Sequence, residues 1–253
     1  MNVGPRILLF DSENAPNIVA AWGIHEQRIN YSDIVREWFF ISIQWQWANS
    51  KKVCHASLLD DPKRFKKDFT DDYHVVKTAH ELLSEADIVV GHALKRHDMK
   101  KLQAKFIEHK LPPLNMPQLV DTLEWARKFG FTSKKLGDLC TKLGLEKKLT
   151  HDPGLFLKAG LGDVSAIKKV ITYGLGDIPT LKQLYERLKP YSHHPNLNLW
   201  RGTNVDCCPG CGCTEFTASG FRYTKVGRVP RNKCNSCGKW FDAGKHDKRV
   251  KMR

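Results

Sequence analysis

The spacing of apolar and polar residues changes along the chain, and each change predicts an element. Residues 6–10 (RILLF) form a short apolar run that stops at Asp11, as a buried strand does. Residues 39–48 (FFISIQWQWA) alternate apolar with polar and are rich in aromatics, which predicts a second strand with residues 52–58 as its hairpin partner. A helix is predicted over residues 73–86, a strand over 87–91 (DIVVG), a helix over 99–109 and a strand over 118–122 (QLVDT). From there the pattern stays helical to about residue 188. A strand hairpin followed by alternating strand and helix predicts an α/β domain with a mixed sheet.

The last helical stretch carries Val164, Ile167, Ile171, Leu175, Ile178, Leu181, Leu184 and Leu188 at steps of three and four, yet it contains Gly174, Gly176 and Pro179. Each glycine costs about 1 kcal/mol in a helix interior relative to alanine, and proline about 3. The Pro179 ring crowds the carbonyl of Leu175, which predicts a kink or break just after Asp177. The two glycines predict open space beside Tyr173 and Asp177.

Charge adds a partner class. The 253 residues carry 41 Lys+Arg against 27 Asp+Glu, a formal +14 that points to a polyanion. The excess is uneven: residues 201–253 contribute +8 of it, and residues 245–253 (KHDKRVKMR) read as a basic tail serving either nucleic acid or solubility. No apolar run approaches the roughly 20 residues that cross a bilayer, and residues 7–10 are too short for a signal peptide. A cytoplasmic protein with no membrane partner is expected.

Asp11 and Glu13 stand two apart at the end of the first strand, so their side chains leave on one face. Two carboxylates there either cap the next turn or share a cation. Asp98 follows the DIVVG strand by a short turn and opens the next helix, where it can also serve as a cap. Asp177 lies four residues after Tyr173, one helical turn along the same face. Two divalent cations about 3.5–4 Å apart can activate water and stabilise the leaving oxygen in phosphodiester cleavage. Such ions need oxygen ligands drawn from distant elements, which Asp11, Glu13, Asp98 and Asp177 can provide for Mg²⁺ or Mn²⁺. The Tyr173 hydroxyl can hydrogen-bond the attacking water.

Six of the eight cysteines lie between residues 207 and 237. Cys208-Pro-Gly-Cys211-Gly and Cys234-Asn-Ser-Cys237-Gly are two C-x-x-C-G knuckles, and two such turns complete a tetrahedral structural Zn²⁺ site. Cys207 and Cys213 are left over. Between the knuckles stand Arg222, Tyr223, Lys225, Arg228 and Arg231, which either stack on and neutralise single-stranded nucleic acid or belong to a miniature core and its solvated face.

The segments ILLFDSENAPNIVAAWG, DIVVGHALKRHDMKKL, VDTLEWARKFGFTSKKLGDLCTKLGL and YGLGD resemble the motifs of the DEDD 3′–5′ exonucleases of the ribonuclease-H-like superfamily, in the branch with a tyrosine in the last motif. The resemblance covers roughly residues 6–190 and is greatest to stand-alone exonucleases of bacteriophage genomes, relatives of the proofreading domain of family B polymerases. It implies a ribonuclease-H-like mixed sheet flanked by helices and two catalytic Mg²⁺ or Mn²⁺ ions. Asp11 would bridge the ions, Glu13 and Asp177 would join it at one, and Asp98 would hold the other. It also implies DNA as the preferred substrate, RNA as an alternative, a replication or recombination protein as a further partner, and the host cytoplasm as location. His92 and His97 stand where such proteins often have Asn and Phe, and Ser12 stands where they have an aliphatic residue. His92 is expected to hydrogen-bond near the substrate, and Asp121 to support the site without binding metal. His194-Pro195-Asn196 resembles the linker before a phage-type zinc ribbon.

The expected organisation is a nuclease domain over residues 1–190, a linker over 191–206, a zinc ribbon over 207–242 and a basic tail over 243–253. Two alternatives share these features: a nuclease directed at RNA or at particular structures, and a non-catalytic zinc-ribbon binder of nucleic acid with a vestigial nuclease site.

Overall fold

In the computed structural model, which describes residues 4–23, 25, 28–146, 149–200, 207–225 and 227–243, the first apolar run becomes the middle of a sheet. The strands are β1 (Ile7–Asn14), a short hairpin of β2 (Ile18–Val19) and β3 (Ile34–Arg36), then β4 (Phe40–Trp47) and β5 (Cys54–Ser57). After α1 (Pro62–Lys67) and α2 (Tyr73–Glu85) come β6 (Ile88–Gly91), α3 (Asp98–Glu108) and β7 (Gln118–Asp121). Four helices follow: α4 (Thr122–Arg127), α5 (Leu136–Lys142), α6 (Leu155–Gly160) and α7 (Val164–Leu188). The stretch expected to be helical throughout to residue 188 is thus divided by loops. The fold is a mixed α/β sheet flanked by helices.

The five-stranded sheet runs β5-β4-β1-β6-β7. β1 pairs antiparallel with β4 and parallel with β6, so it is buried on both faces and both edges. Alternation along β1 sends Leu8 and Phe10 into one core with α2 and α3, and Leu9 into a second core with α4, α5 and the end of α7. Helix α7 itself crosses from one core to the other, with Ala166, Ile167 and Val170 in the first and Ile178, Leu181, Leu184 and Tyr185 in the second. The turn from Tyr173 to Asp177 lies at this crossing.

The break expected after Asp177 does not occur: α7 runs as one helix of 25 residues with Pro179 inside it. Val170, Ile178, Leu181 and Leu184 are all buried on this helix. At roughly 1.5–3 kcal/mol each, their burial outweighs the proline's cost of about 3 kcal/mol. The glycines do not provide open space either. A Cβ on Gly174 would lie 2.5–2.7 Å from the Gln44 amide, and one on Gly176 would lie 2.8 Å from Leu149 Cδ1. They let α7 close against β4 and against the loop before α6.

The segment expected as a linker is packed as far as residue 200. Leu197 is buried in the second core, and its amide donates to Pro209 O at 3.0 Å. His194 Nδ1 lies 2.7 Å from Pro195 O and must donate, so Nε2 accepts from the Tyr185 hydroxyl at 2.5 Å. Burial lowers the His194 pKa from 6.5 to about 4. The unfolded chain therefore binds the extra proton first, and the stability from neutral His194 is present above pH 6.5 and lost as pH falls toward 4. In urea unfolding, the stability advantage of wild type over His194→Gln should shrink by on the order of 2 kcal/mol between pH 7 and pH 4.5, allowing for the ring's partial exposure. Residues 201–206 and the basic tail from residue 244 lie outside the described residues.

Toward the C-terminus, β8 (Phe216–Thr224), β9 (Gly227–Cys234) and β10 (Trp240–Asp242) form a small antiparallel sheet in the order β10-β9-β8. Among the described residues, no helix is long and apolar enough to cross a membrane.

Candidate active site

Three carboxylates meet beyond the second core. Asp11 and Glu13 continue the face of β1 that starts with Leu9, and Asp177 comes from α7 one turn after Tyr173. One oxygen from each lies within 4.8 Å of the others. Two unit charges about 4 Å apart repel by roughly 4 kcal/mol at an effective dielectric of 20. Asp177 is only 2 % exposed, so water screens it poorly. A hard divalent cation with oxygen ligands offsets this repulsion, and the donor set fits one.

Gln44 belongs to none of the motifs in the sequence. It sits on β4 directly opposite Asp11 in the antiparallel register. Its side chain is fully buried, its Nε2 donates to Ser42 Oγ at 2.7 Å, and its Oε1 has no hydrogen-bond partner among the described residues. The signal was the row Ser42, Gln44, Gln46 within FISIQWQW, which reads as a solvent face until α7 covers it.

Asp98 stands apart from the group of three. It is the first residue of α3, with His97 in the capping position. Its Oδ1 accepts a hydrogen bond from Ser12 Oγ at 2.5 Å. Ser12 leaves β1 on the opposite face from Asp11 and Glu13, which is why Asp98 reaches the strand without joining their cluster. Burial pushes the Asp98 carboxyl up to about 6, against the pull of the Ser12 hydrogen bond. Asp121 caps α4 by accepting from Leu123 N at 2.9 Å. It also accepts from Ala93 N at 2.9 Å and Lys95 N at 3.1 Å, fixing the turn that leads to α3.

His92 bridges two segments, with Nδ1 2.9 Å from Thr122 Oγ1 and Nε2 3.0 Å from Lys134 O. Its ring lines a cavity of about 740 Å³ together with Arg127, Lys134 and Lys135. The Tyr173 ring meets His151 edge to face, with centroids 5.0 Å apart, and Phe156 at 6.1 Å. These contacts hold the ring of Tyr173, which lies one helical turn before Asp177.

The four knuckle cysteines converge as their spacing predicts. All four sulfurs lie within 4.8 Å of one another, with Cys208 and Cys237 Sγ 3.7 Å apart and Cys211 and Cys234 Sγ 3.5 Å apart. A tetrahedron of Zn–S bonds of about 2.3 Å sets its sulfurs about 3.8 Å apart, so the cluster fits a zinc ribbon. Gly212 (φ 78°) and Gly238 (φ 72°) take the left-handed conformation that reverses the chain after each knuckle. Burial raises the Cys234 thiol, but hydrogen bonds from the amides of Cys237 and Ser236 and from the Cys211 and Cys237 side chains together bring it down to about 7. Cys207 and Cys213 are outside the four-sulfur group.

The ribbon divides the cationic residues between its faces. Arg222 pairs with Asp242 through two hydrogen bonds of 3.1 and 2.6 Å, and Arg231 lies on the same side. Tyr223 pairs across the ladder with Arg228, whose guanidinium sits 4.4 Å from the Phe221 ring centroid. Tyr223 is 77 % exposed, so this second face presents an aromatic and a cation to solvent. Lys225 is in the connecting turn.

A nuclease-type α/β fold with a carboxylate cluster at the end of its central strand defines the class. The sequence matches the RNase_H superfamily over residues 54–189, more than half the chain, and the protein belongs to that superfamily. DNA polymerase III PolC-type of Mycoplasma pneumoniae is 34 % identical in a match of 113 residues that covers 42 % of this chain and 7 % of that polymerase. The chain thus spans a small part of that relative. The family B DNA polymerase of the archaeon Pyrobaculum calidifontis shares the fold with a TM-score of 0.56 at 15 % identity, over 78 % of this chain and 25 % of that one. The superfamily match begins at Cys54, so Asp11 and Glu13 lie outside it and enter the site through the pairing of β1 with β4 and β6.

Proposed function

We propose that the protein is a metal-dependent 3′–5′ exonuclease that hydrolyses terminal phosphodiesters of DNA, at single-stranded or frayed 3′ ends. The observation that carries this is the meeting of Asp11, Glu13 and Asp177 with Tyr173 one turn away, on an RNase_H superfamily fold. The relative named as a PolC-type DNA polymerase supports DNA over RNA.

Asp11, Glu13 and Asp177 would hold one Mg²⁺ or Mn²⁺ ion, whereas Asp98, which Ser12 holds on the other face of β1, would have to turn toward Asp11 to hold a second. Bound there, such ions would supply charge neutralisation of the phosphodiester and would make a bound water more acidic. The Tyr173 hydroxyl orients that water toward phosphorus. A new P–O bond would form from the water as the bond to the 3′ oxygen of the preceding nucleotide breaks, the water's proton ending on that oxygen as a free 3′ hydroxyl and the terminal nucleotide leaving as its 5′-monophosphate. Residues 1–190 act as the catalytic domain. The Tyr223–Arg228 face of the ribbon, with Lys225, takes the single strand by stacking and charge.

The test is digestion of 5′-labelled DNA and RNA strands of one sequence in Mn²⁺. DNA shortening stepwise from its 3′ end, release of monophosphates and arrest by EDTA are expected, with RNA at least about tenfold slower. Internal cuts, or digestion that persists in EDTA, would rule the reading out, and equal loss of RNA would overturn the DNA assignment.

A further inference from the structure

Gln44 is buried on all sides at a place where a charged cluster needs neutral partners. Its register opposite Asp11 puts the two side chains on one face of the sheet, with Cβ atoms about 5 Å apart as in any directly paired residues. Its amide presses on Gly174, where any larger residue would collide with it. Gly174 and Asp177 are three apart on α7 and both buried, so the amide is wedged between the strand carrying Asp11 and the helix carrying Asp177. The Ser42 hydroxyl anchors the nitrogen, which turns the oxygen away from Ser42. That oxygen is fully buried and has no donor among the described residues. Buried acceptors are rarely left so, and those that are call for an ion, a water or a functional role.

We propose that Gln44 is a positioning residue for the cation held by Asp11, Glu13 and Asp177. Its amide oxygen accepts a hydrogen bond from a water in that cation's hydration shell. The inference rests on the proposed reading of the carboxylate cluster as a cation site. A neutral acceptor suits this place, because a fourth carboxylate would add repulsion and a methylene chain would leave the water unheld. Partners one layer beyond the ligands commonly change metal affinity or activity 10–100-fold.

The test is calorimetric titration of the full chain with Mn²⁺, comparing wild type, Gln44→Met, Gln44→Glu and Asp11→Asn. Gln44→Met keeps an unbranched side chain of similar length but lacks the acceptor, and should weaken Mn²⁺ binding by at least about tenfold. Its melting temperature in EDTA should stay close to that of wild type, since loss of the unsatisfied oxygen offsets loss of the hydrogen bond to Ser42. Gln44→Glu keeps the acceptor and should bind within about threefold of wild type or more tightly. If Asp11→Asn weakens binding while Gln44→Met stays within about twofold of wild type, the inference about Gln44 falls and the cation site stands. Equal weakening by Gln44→Met and Gln44→Glu would mean that the amide nitrogen faces the cluster, which also overturns it. If Asp11→Asn binds Mn²⁺ as wild type does, the cation site itself is wrong. Should Gln44→Met fail to fold, Ser42→Ala releases the amide from its anchor, with weaker binding expected and unchanged binding decisive against the proposal.

Discussion

Asp177→Asn and Asp11→Asn should each lower hydrolysis of a 3′-labelled DNA strand by roughly a thousandfold or more. A bound cation supplies several kcal/mol of transition-state charge stabilisation, and about 4 kcal/mol corresponds to that factor. The replacement is nearly isosteric, so packing around Asp177, which is 2 % exposed, is kept. Stability should move the other way. Without metal, the three carboxylates repel within 4.8 Å of one another, and removing one charge relieves two pairs. The variants should therefore melt at the same temperature as wild type or higher in EDTA, and lose the stabilisation that Mn²⁺ gives wild type. An inactive variant that also melts lower in EDTA would show a folding defect in place of a lost ligand. Wild type and Asp11→Asn digesting DNA equally would disprove the site assignment.

Cys237→Ser should release zinc and unfold the C-terminal ribbon. Apparent zinc-binding energies in small structural sites run to about 10–16 kcal/mol, more than the total stability of most domains. The ribbon has little else to hold it. Its paired strands bury few large side chains, while Cys208 and Cys234 are among its most buried residues. Wild type should carry one Zn²⁺ per chain, measured by thiol-triggered release against a colorimetric chelator, and Cys237→Ser none. Cys213→Ser should keep its zinc, because Cys213 lies outside the four-sulfur group. The α/β domain has separate cores on either side of β1 and should keep its melting transition. Zinc retained by Cys237→Ser, or lost by Cys213→Ser, would mean that another set of four thiols binds the metal.

Much of the fold is written locally. The apolar run that became β1, the period-two run that became β4 and the helical spacing of α2, α3 and α7 each report a face that must be buried. The spacing of Cys208, Cys211, Cys234 and Cys237 sets two turns, and the structure closes them as four sulfurs in reach of one ion. Asp11, Glu13 and Asp177 were legible for a similar reason: two lie on one strand face, and the third lies on a helix that begins after Asp163 caps it. All these features depend on neighbours within a few residues, where backbone periodicity fixes direction.

The rest depends on pairings between distant segments. Pro179 stays within α7 because that helix joins two cores, a gain that no local helix propensity contains. Gly174 and Gly176 face Gln44 and Leu149, partners 130 and 27 positions away, and therefore serve packing rather than access. Asp98 meets Ser12 because α3 lies on the face of β1 opposite Asp11 and Glu13. Likewise, the ladder between β8 and β9 decides that Tyr223 and Arg228 share an exposed face while Arg222 turns to Asp242. By itself the sequence determined where most of the strands and helices lie and which side chains carry groups suited to a metal. The tertiary structure decided which of them meet, since strand order and helix placement set distances that residue spacing does not encode.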